Sequence, residues 1–153
     1  MRARGLRVGV MKPFDTVESH DGRALALAVG SPFPMDVISA DTAAAIQRYF
    51  DQIASKSDVV IVEASNAIDF ANLAAQLDLE IILVVGNRTG CVHAMTCILE
   101  SCEKRNLKVA GCILCDCEVD LHVDALDTPP GVPYLGRMRH REPLAKSIVE
   151  QLL

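Results

Sequence analysis

Five short runs of consecutive apolar residues recur along the chain, and they constrain its fold more strongly than any other feature of the sequence. The runs are rich in valine and isoleucine and do not alternate with polar residues, which is typical of strands covered on both faces in a parallel sheet. Longer segments with an apolar stripe at helical spacing separate them. This order predicts an α/β fold, a doubly wound and mainly parallel sheet of about five strands with helices on both faces. The predicted strands are 6–11, 58–63, 80–85, 107–114 and 132–135.

The segments between the strands carry recognisable helix signals. The longest predicted helix, 40–55, follows Ser39, a residue type that is favoured at helix N-caps. Because no repeat or interdomain linker interrupts the series, residues 1–153 are predicted to form a single domain. The other predicted helices are 22–29, 68–77, 92–104 and 142–153.

Composition and charge exclude several classes of function. Half of the 153 residues are hydrophobic, which suits one domain with a substantial core. The net charge of −5 argues against a nucleic-acid or anionic-membrane partner, since both select a basic surface. No apolar run reaches the roughly 20 residues that span a bilayer, and no secretory signal peptide is visible. We therefore expect a cytoplasmic protein whose six cysteines are reduced thiols.

The residues that follow the predicted strands are the candidates for a functional site. In open parallel sheets, ligands bind in the crevice outside the carboxyl ends of the strands. Side chains from several strand ends are therefore expected to act together. They are Lys12, Glu63, the turn 86–91, Cys115, Asp116 and Gly136.

These strand ends, taken in order, resemble those of the dethiobiotin synthetase family. The segment RARGLRVGVMKPFDT is similar to the family's second strand, where a lysine-proline pair precedes a hydroxyl-bearing turn. RALALAVGSP, DVVIVEA, IILVVGNRTGCVHAM, NLKVAGCILCD and GVPYLGRM resemble the segments that follow, so the resemblance covers nearly the whole chain. It implies a P-loop fold and an ATP-dependent ligase that carboxylates a diaminononanoate, phosphorylates the carbamate and closes a cyclic urea.

The resemblance also implies roles for individual residues. Lys12 would neutralise carbamate or γ-phosphate oxygens, and the Thr16 hydroxyl would lie near the same oxygens. Glu63 would help to hold Mg²⁺ on the triphosphate of ATP. Gly90 and Cys91 would lie near the small-molecule substrate, in a loop that the family also uses at its homodimer interface. Cys115 and Asp116 stand where the family recognises adenine.

The sequence departs from the family's pattern on the nucleotide side. The family's first strand and the glycine-rich lysine loop that binds phosphates do not occur in these residues, and by the resemblance they would precede residue 1. Because that strand is central in the family's sheet, its loss is expected to leave a gap in the sheet or an edge where two strands re-pair. Arg23 replaces a Mg²⁺-binding aspartate, and Asp21 lies two positions away, in a different direction on a helix. Ala64 replaces a glycine, and Cys115 replaces an adenine-reading asparagine whose paired donor and acceptor a thiol lacks.

We therefore expect the chain alone to be an impaired enzyme, a pseudoenzyme that neither binds ATP tightly nor turns over. The alternative is a non-catalytic scaffold or interaction module derived from the same fold.

A cysteine cluster supports a further alternative, a zinc or redox site built from Cys112, Cys115, Cys117 and His122. Cys112 lies inside a predicted strand, where residues three apart face opposite sides of the sheet, so Cys112 and Cys115 are expected to diverge. Free cysteine is also among the most commonly buried residue types. Core packing is therefore the prediction for Cys112, and the metal reading stays open for the residues beyond the strand.

Overall fold

A computed structural model describes residues 5–14, 20–64, 70–116 and 129–138, and the fold in these ranges is α/β. The chain forms two compact units, Met1–Leu77 and Asp78–Leu153. Each unit has its own sheet, of two strands in the first unit and three in the second, and every strand pair is parallel. No helix in the described ranges is long and apolar enough to cross a bilayer.

The first unit is built on one pair of parallel strands. Strand β1 (Val8–Met11) pairs with β2 (Val59–Val62) in a register that places Val8 opposite Val59. Ile53 packs tightly against this pair, because a Cβ added at Gly9 would clash with its side chain. The helices of this unit are α1 (His20–Val29), α2 (Met35–Ile38), α3 (Ala43–Ala54) and α4 (Phe70–Gln76).

In the described part of the second unit, one helix packs on a three-stranded sheet. Its strands lie in the order β3-β4-β5, and α5 connects the first two. One buried cluster of its core contains Leu83, Met95, Cys112 and Leu114. The elements are β3 (Ile81–Asn87), α5 (Cys91–Lys104), β4 (Val109–Asp116) and β5 (Tyr134–Met138).

The α/β class, the parallel pairing and the number of strands confirm the sequence-based prediction. The observed strands begin one or two residues after the predicted starts, and β3, β4 and β5 also end later. The described strands form two separate sheets, and a gap in the sheet is one of the two outcomes predicted for a sheet without the family's first strand. The predicted helix 142–153 lies outside the described residues.

The predicted N-cap at Ser39 is wrong. The cap of α3 is Thr42, whose hydroxyl accepts a hydrogen bond from the Ala45 N–H at 3.3 Å. The reason lies in the backbone before it, since the N–H groups of Lys12 and Phe14 donate to the carbonyls of Ile38 and Ala40. These hydrogen bonds hold residues 38–40 beside the residues that follow β1, so α3 begins only after them. Ser39 instead closes α2, a short helix that the sequence analysis missed.

An ion pair joins the starts of β1 and β2. The Arg7 backbone N–H donates to Asp58 Oδ2 at 2.8 Å, its guanidinium donates to Oδ1 at 2.6 Å, and the Asp58 N–H returns a bond to the Arg7 carbonyl. The side-chain and backbone hydrogen bonds from Arg7 lower the pKa of Asp58 from 3.8 to about 2. A carboxylate with a depressed pKa stabilises the fold above its unfolded-state pKa and loses that contribution as the pH falls.

Asp58→Asn is therefore expected to lower the thermal midpoint at neutral pH, and its deficit relative to the parent protein should shrink as the pH falls from about 4 to about 2. The physical reason is that acid protonates Asp58 in the parent and removes the same charge that the substitution removes. Circular dichroism melts of both proteins across this range measure the difference. A deficit that stays constant between these pH values would contradict the assignment.

Candidate functional site

The carboxyl end of the β1–β2 pair holds a buried ammonium group. Lys12 directly follows β1, its side chain is 8% exposed, and its Nζ donates to Glu63 Oε1 at 2.7 Å. Glu63 occupies the equivalent place after β2, where its N–H donates to the Met11 carbonyl at 2.9 Å. The structure thus brings together two of the predicted site residues. The strand register accounts for their meeting, because Met11 lies opposite Val62.

The backbone on both sides of Lys12 is held in place. Its own N–H donates to the Ile38 carbonyl at 2.8 Å, and Pro13 next to it is fully buried. A residue before proline is restricted to extended backbone, which continues the direction of β1 out of the sheet. Phe14 then adopts a φ of 60° and donates its N–H to the Ala40 carbonyl at 2.7 Å. The lysine is therefore positioned by the local fold before any ligand arrives.

Asp21 is a third member of this cluster, and its closeness to Lys12 was not predicted from the sequence. It lies in the first turn of α1, with its Oδ2 3.6 Å from Lys12 Nζ. Its carboxylate is thus within ion-pair distance of Lys12, whereas Arg23 in the next part of the same helix is exposed to solvent. The signal that could have identified Asp21 is its position at a helix start close to β1, since acidic residues are favoured in first turns.

The second unit carries an ion pair at the ends of β4 and β5. Arg137 Nε donates to both carboxylate oxygens of Asp116, at 2.8 and 3.0 Å, and its Nη2 lies 2.8 Å from Oδ1. Both side chains are less than a third exposed. Beside them, Cys115 Sγ contacts Met138 Sδ at 3.8 Å. The two residues predicted at the adenine position are therefore engaged by side chains of β5.

Gly90 and Cys91 form the start of α5. Gly90 is the N-cap residue with a φ of 82°, a left-handed conformation in which a side chain is strained. Cys91 is half-buried and opens the helix. This geometry turns the chain sharply from β3 into α5 and places both residues near the carboxyl end of the second sheet. Thr16, the other predicted catalytic residue, lies outside the described part of the chain.

The described cysteines are free thiols, and two of them pack in apolar surroundings. Cys112 belongs to the core of the second unit and Cys102 is buried on α5, as core packing predicts. Burial raises the pKa of both thiols. No group of three or more His, Cys, Asp or Glu residues in the described ranges has a metal-binding arrangement. Cys117 and His122 lie outside those ranges, so the metal alternative beyond β4 stays a prediction.

Comparison with known proteins gives a family and two relatives. A family model described as an AAA domain matches residues 1–147. The ATP-dependent dethiobiotin synthetase BioD of Aromatoleum aromaticum is 33% identical over 110 residues, which cover 63% of this chain and 49% of the relative. The BioD of Pseudescherichia vulneris is 27% identical over 148 residues, which cover 92% of this chain and 52% of the relative. The chain thus spans about half the length of these curated relatives.

Removing either partner of the Lys12–Glu63 ion pair should lower the free energy of unfolding by a different amount. Glu63→Ala leaves an ammonium that is 8% exposed without its closest carboxylate and should cost about 1–2 kcal/mol. Lys12→Met should cost less, because the carboxylate it leaves behind is 43% exposed and water can hydrate it. Urea titrations of both variants, with Glu100→Ala on the exposed side of α5 as the control, measure the two costs. A larger loss for Lys12→Met would contradict the buried-charge account.

Proposed function

Because the chain belongs to the AAA domain family, we propose that it takes part in ATP- and Mg²⁺-dependent cyclic urea formation on a diaminononanoate, the reaction that its resemblance to dethiobiotin synthetase implies. The observation that carries this proposal is the buried ammonium of Lys12 at the carboxyl end of a parallel strand pair. That is where α/β sheets bind ligands.

The reaction explains why a fixed cation is useful at this position. One amine of the substrate adds to CO₂ and loses a proton, which gives a carbamate anion. Transfer of a phosphoryl group from ATP to a carbamate oxygen gives a mixed anhydride and ADP. The second amine then attacks the carbonyl carbon, phosphate leaves, and the urea ring closes. Lys12 would neutralise the carbamate oxygens before transfer and the anhydride oxygens afterwards.

Two carboxylates set the conditions under which an oxyanion can reach Lys12. Glu63 is hydrogen-bonded to the ammonium at 2.7 Å, whereas Asp21 lies at 3.6 Å and its side chain is 71% exposed. An incoming anion would therefore displace or repel Asp21 more readily than Glu63. In this proposal Glu63 orients Lys12, and Asp21 competes with the substrate for the same charge.

The described residues fit a magnesium ion better than they fit an adenine base. Glu63 and Asp21 offer partly exposed carboxylate oxygens, the ligand type that Mg²⁺ prefers, and Glu63 would hold the ion with phosphate oxygens and water. The ion would neutralise charge on the triphosphate. Cys115 lacks the paired donor and acceptor of an amide, and Asp116 already accepts two bonds from Arg137. Adenine recognition is therefore not part of the proposed mechanism.

The same engagement of Cys115 and Asp116 favours the second candidate, a non-catalytic module derived from the synthetase fold. In that case Cys115 and Asp116 contact side chains of β5 and stabilise the second unit, and tight MgATP binding is lost. A homodimer, which the family resemblance implies, and a cytoplasmic location, which the sequence led us to expect, complete the proposal.

Binding measurements separate the two candidates. Titration of diaminononanoate into the chain in bicarbonate buffer should release heat, and Lys12→Met should weaken binding by at least about tenfold because the carbamate loses its counter-charge. Asp21→Asn should strengthen it, since a competing carboxylate is removed. Lys56→Met, at an exposed lysine of the same unit, is the matched control. Equal binding by the parent and Lys12→Met would remove Lys12 from the site.

MgATP should bind these residues more weakly than about 10 µM, because the base-reading positions are occupied. Calorimetric titration of MgATP into the parent chain and into the Asp116→Ala variant tests this expectation. Binding of MgATP near 1 µM would contradict it, and no carbamate binding together with weak MgATP binding would favour the non-catalytic module.

A further inference from the structure

A histidine and a cysteine lie one turn apart on the same face of α5. Cys97 follows His93 by four positions, and its Sγ lies 3.8 Å from His93 Nε2. Residues four apart are neighbours on the surface of a helix, so this distance is set within α5 and depends on no other element. Among the described cysteines, Cys97 alone is exposed.

Core packing does not account for Cys97. The buried residues of α5 are Met95 and Cys102. Because successive residues of a helix are rotated by about 100°, both lie on the side of α5 opposite His93 and Cys97. Free cysteine is usually buried, as Cys102 is. A thiol that faces away from the core and lies beside an imidazole therefore needs an explanation other than burial.

The two side chains carry donor atoms that Zn²⁺ prefers, at a separation that suits one ion. Zinc binds thiolate sulfur at about 2.3 Å and imidazole nitrogen at about 2.0–2.1 Å. In tetrahedral geometry these bond lengths place the two donor atoms about 3.6 Å apart. The observed separation of 3.8 Å between Sγ and Nε2 is close to that value. One ion can therefore contact both atoms with little movement of either side chain.

The spacing of the pair is one that zinc proteins use. In the H-E-x-x-H pattern, two ligands four positions apart bind one ion from the same face of a helix. The His93 imidazole can bind through Nε2 when it carries its proton on Nδ1. No third His, Cys, Asp or Glu of the described ranges completes a metal-binding group with this pair. Water would fill the remaining coordination positions, as it does at open zinc sites.

We propose that His93 Nε2 and the Cys97 thiolate bind one divalent transition-metal cation of the Zn²⁺ type. On binding, the thiol gives up its proton to the solvent, and a metal–sulfur bond replaces the S–H bond. The site differs from the cysteine cluster at and beyond the end of β4, because it lies wholly within α5. It also depends on neither carbamate nor MgATP, so it goes beyond the proposed function.

Titration of the reduced, metal-free chain with Co²⁺ tests the site, because a cobalt–thiolate bond produces a charge-transfer absorption band. Cys97→Ser and His93→Gln should each raise the dissociation constant for Co²⁺ at least about tenfold, since each removes one of two protein donors. Cys115→Ser is the matched control and should leave the affinity unchanged. Circular dichroism without metal confirms that the variants are folded.

Three results of this titration would overturn the proposal. The first is a parent chain that shows no charge-transfer band. The second is an affinity that His93→Gln leaves unchanged, because the thiol would then bind without the imidazole. The third is a band that Cys115→Ser removes and Cys97→Ser does not, which would place the metal at the end of β4.

Thermal unfolding provides a second measurement of the same site. Zn²⁺ should raise the midpoint of the parent chain, because the ion joins two side chains that are adjacent only when α5 is folded. The combined variant His93→Gln and Cys97→Ser should show a smaller rise at the same concentration of Zn²⁺. An equal rise in both proteins would contradict the assignment. Because carbamate and MgATP are absent, these results are independent of the binding tests of the proposed function.

Discussion

The buried ammonium of Lys12 is the constraint on which the first unit depends. A charge removed from water needs a close partner, and Glu63 is hydrogen-bonded to it at 2.7 Å. That requirement aligns the ends of two strands that are 51 positions apart in the chain. It also keeps a cation ready at the crevice outside the sheet. Stability and the candidate chemistry therefore use the same side chain, and neither can be changed without affecting the other.

The charges at the strand ends report the register of the first sheet. Arg7 and Lys12 are five residues apart, as are Asp58 and Glu63, and the two ion pairs have the same offset of 51 as the paired strand residues. Two basic residues flanking one strand and two acidic residues flanking the next thus hold the pair at both ends. This matched spacing is visible in the sequence and could have predicted both the pairing and the contact between Lys12 and Glu63.

Other features were predictable only in part. Continuous apolar runs located all five strands of the described ranges, although β3 is covered on one face only, with Val84 64% exposed. Which strands pair has no such local signature, since pairing joins residues distant in sequence. Asp21 was missed because its position was compared with that of Arg23 on the same helix. Its distance to the ammonium of Lys12 is a tertiary property that this comparison does not include. Thr42 rather than Ser39 caps α3 because hydrogen bonds from Lys12 and Phe14 hold the preceding backbone. Those hydrogen bonds join segments distant in sequence, so no local pattern predicts them.

The charges that flank the strands are also paired between neighbouring strands in both sheets. Both residues that flank β2 are acidic, and each forms an ion pair with a basic residue that flanks β1. The flanking charges of β2 are therefore complementary to those of the strand with which it pairs. In β3 the flanking charges differ in sign, and Glu80 is in contact with Lys108 before β4, while Arg88 is exposed at the other end. In both sheets, therefore, flanking charges form ion pairs between strands that are hydrogen-bonded neighbours, and these ion pairs favour the observed register over a shifted one.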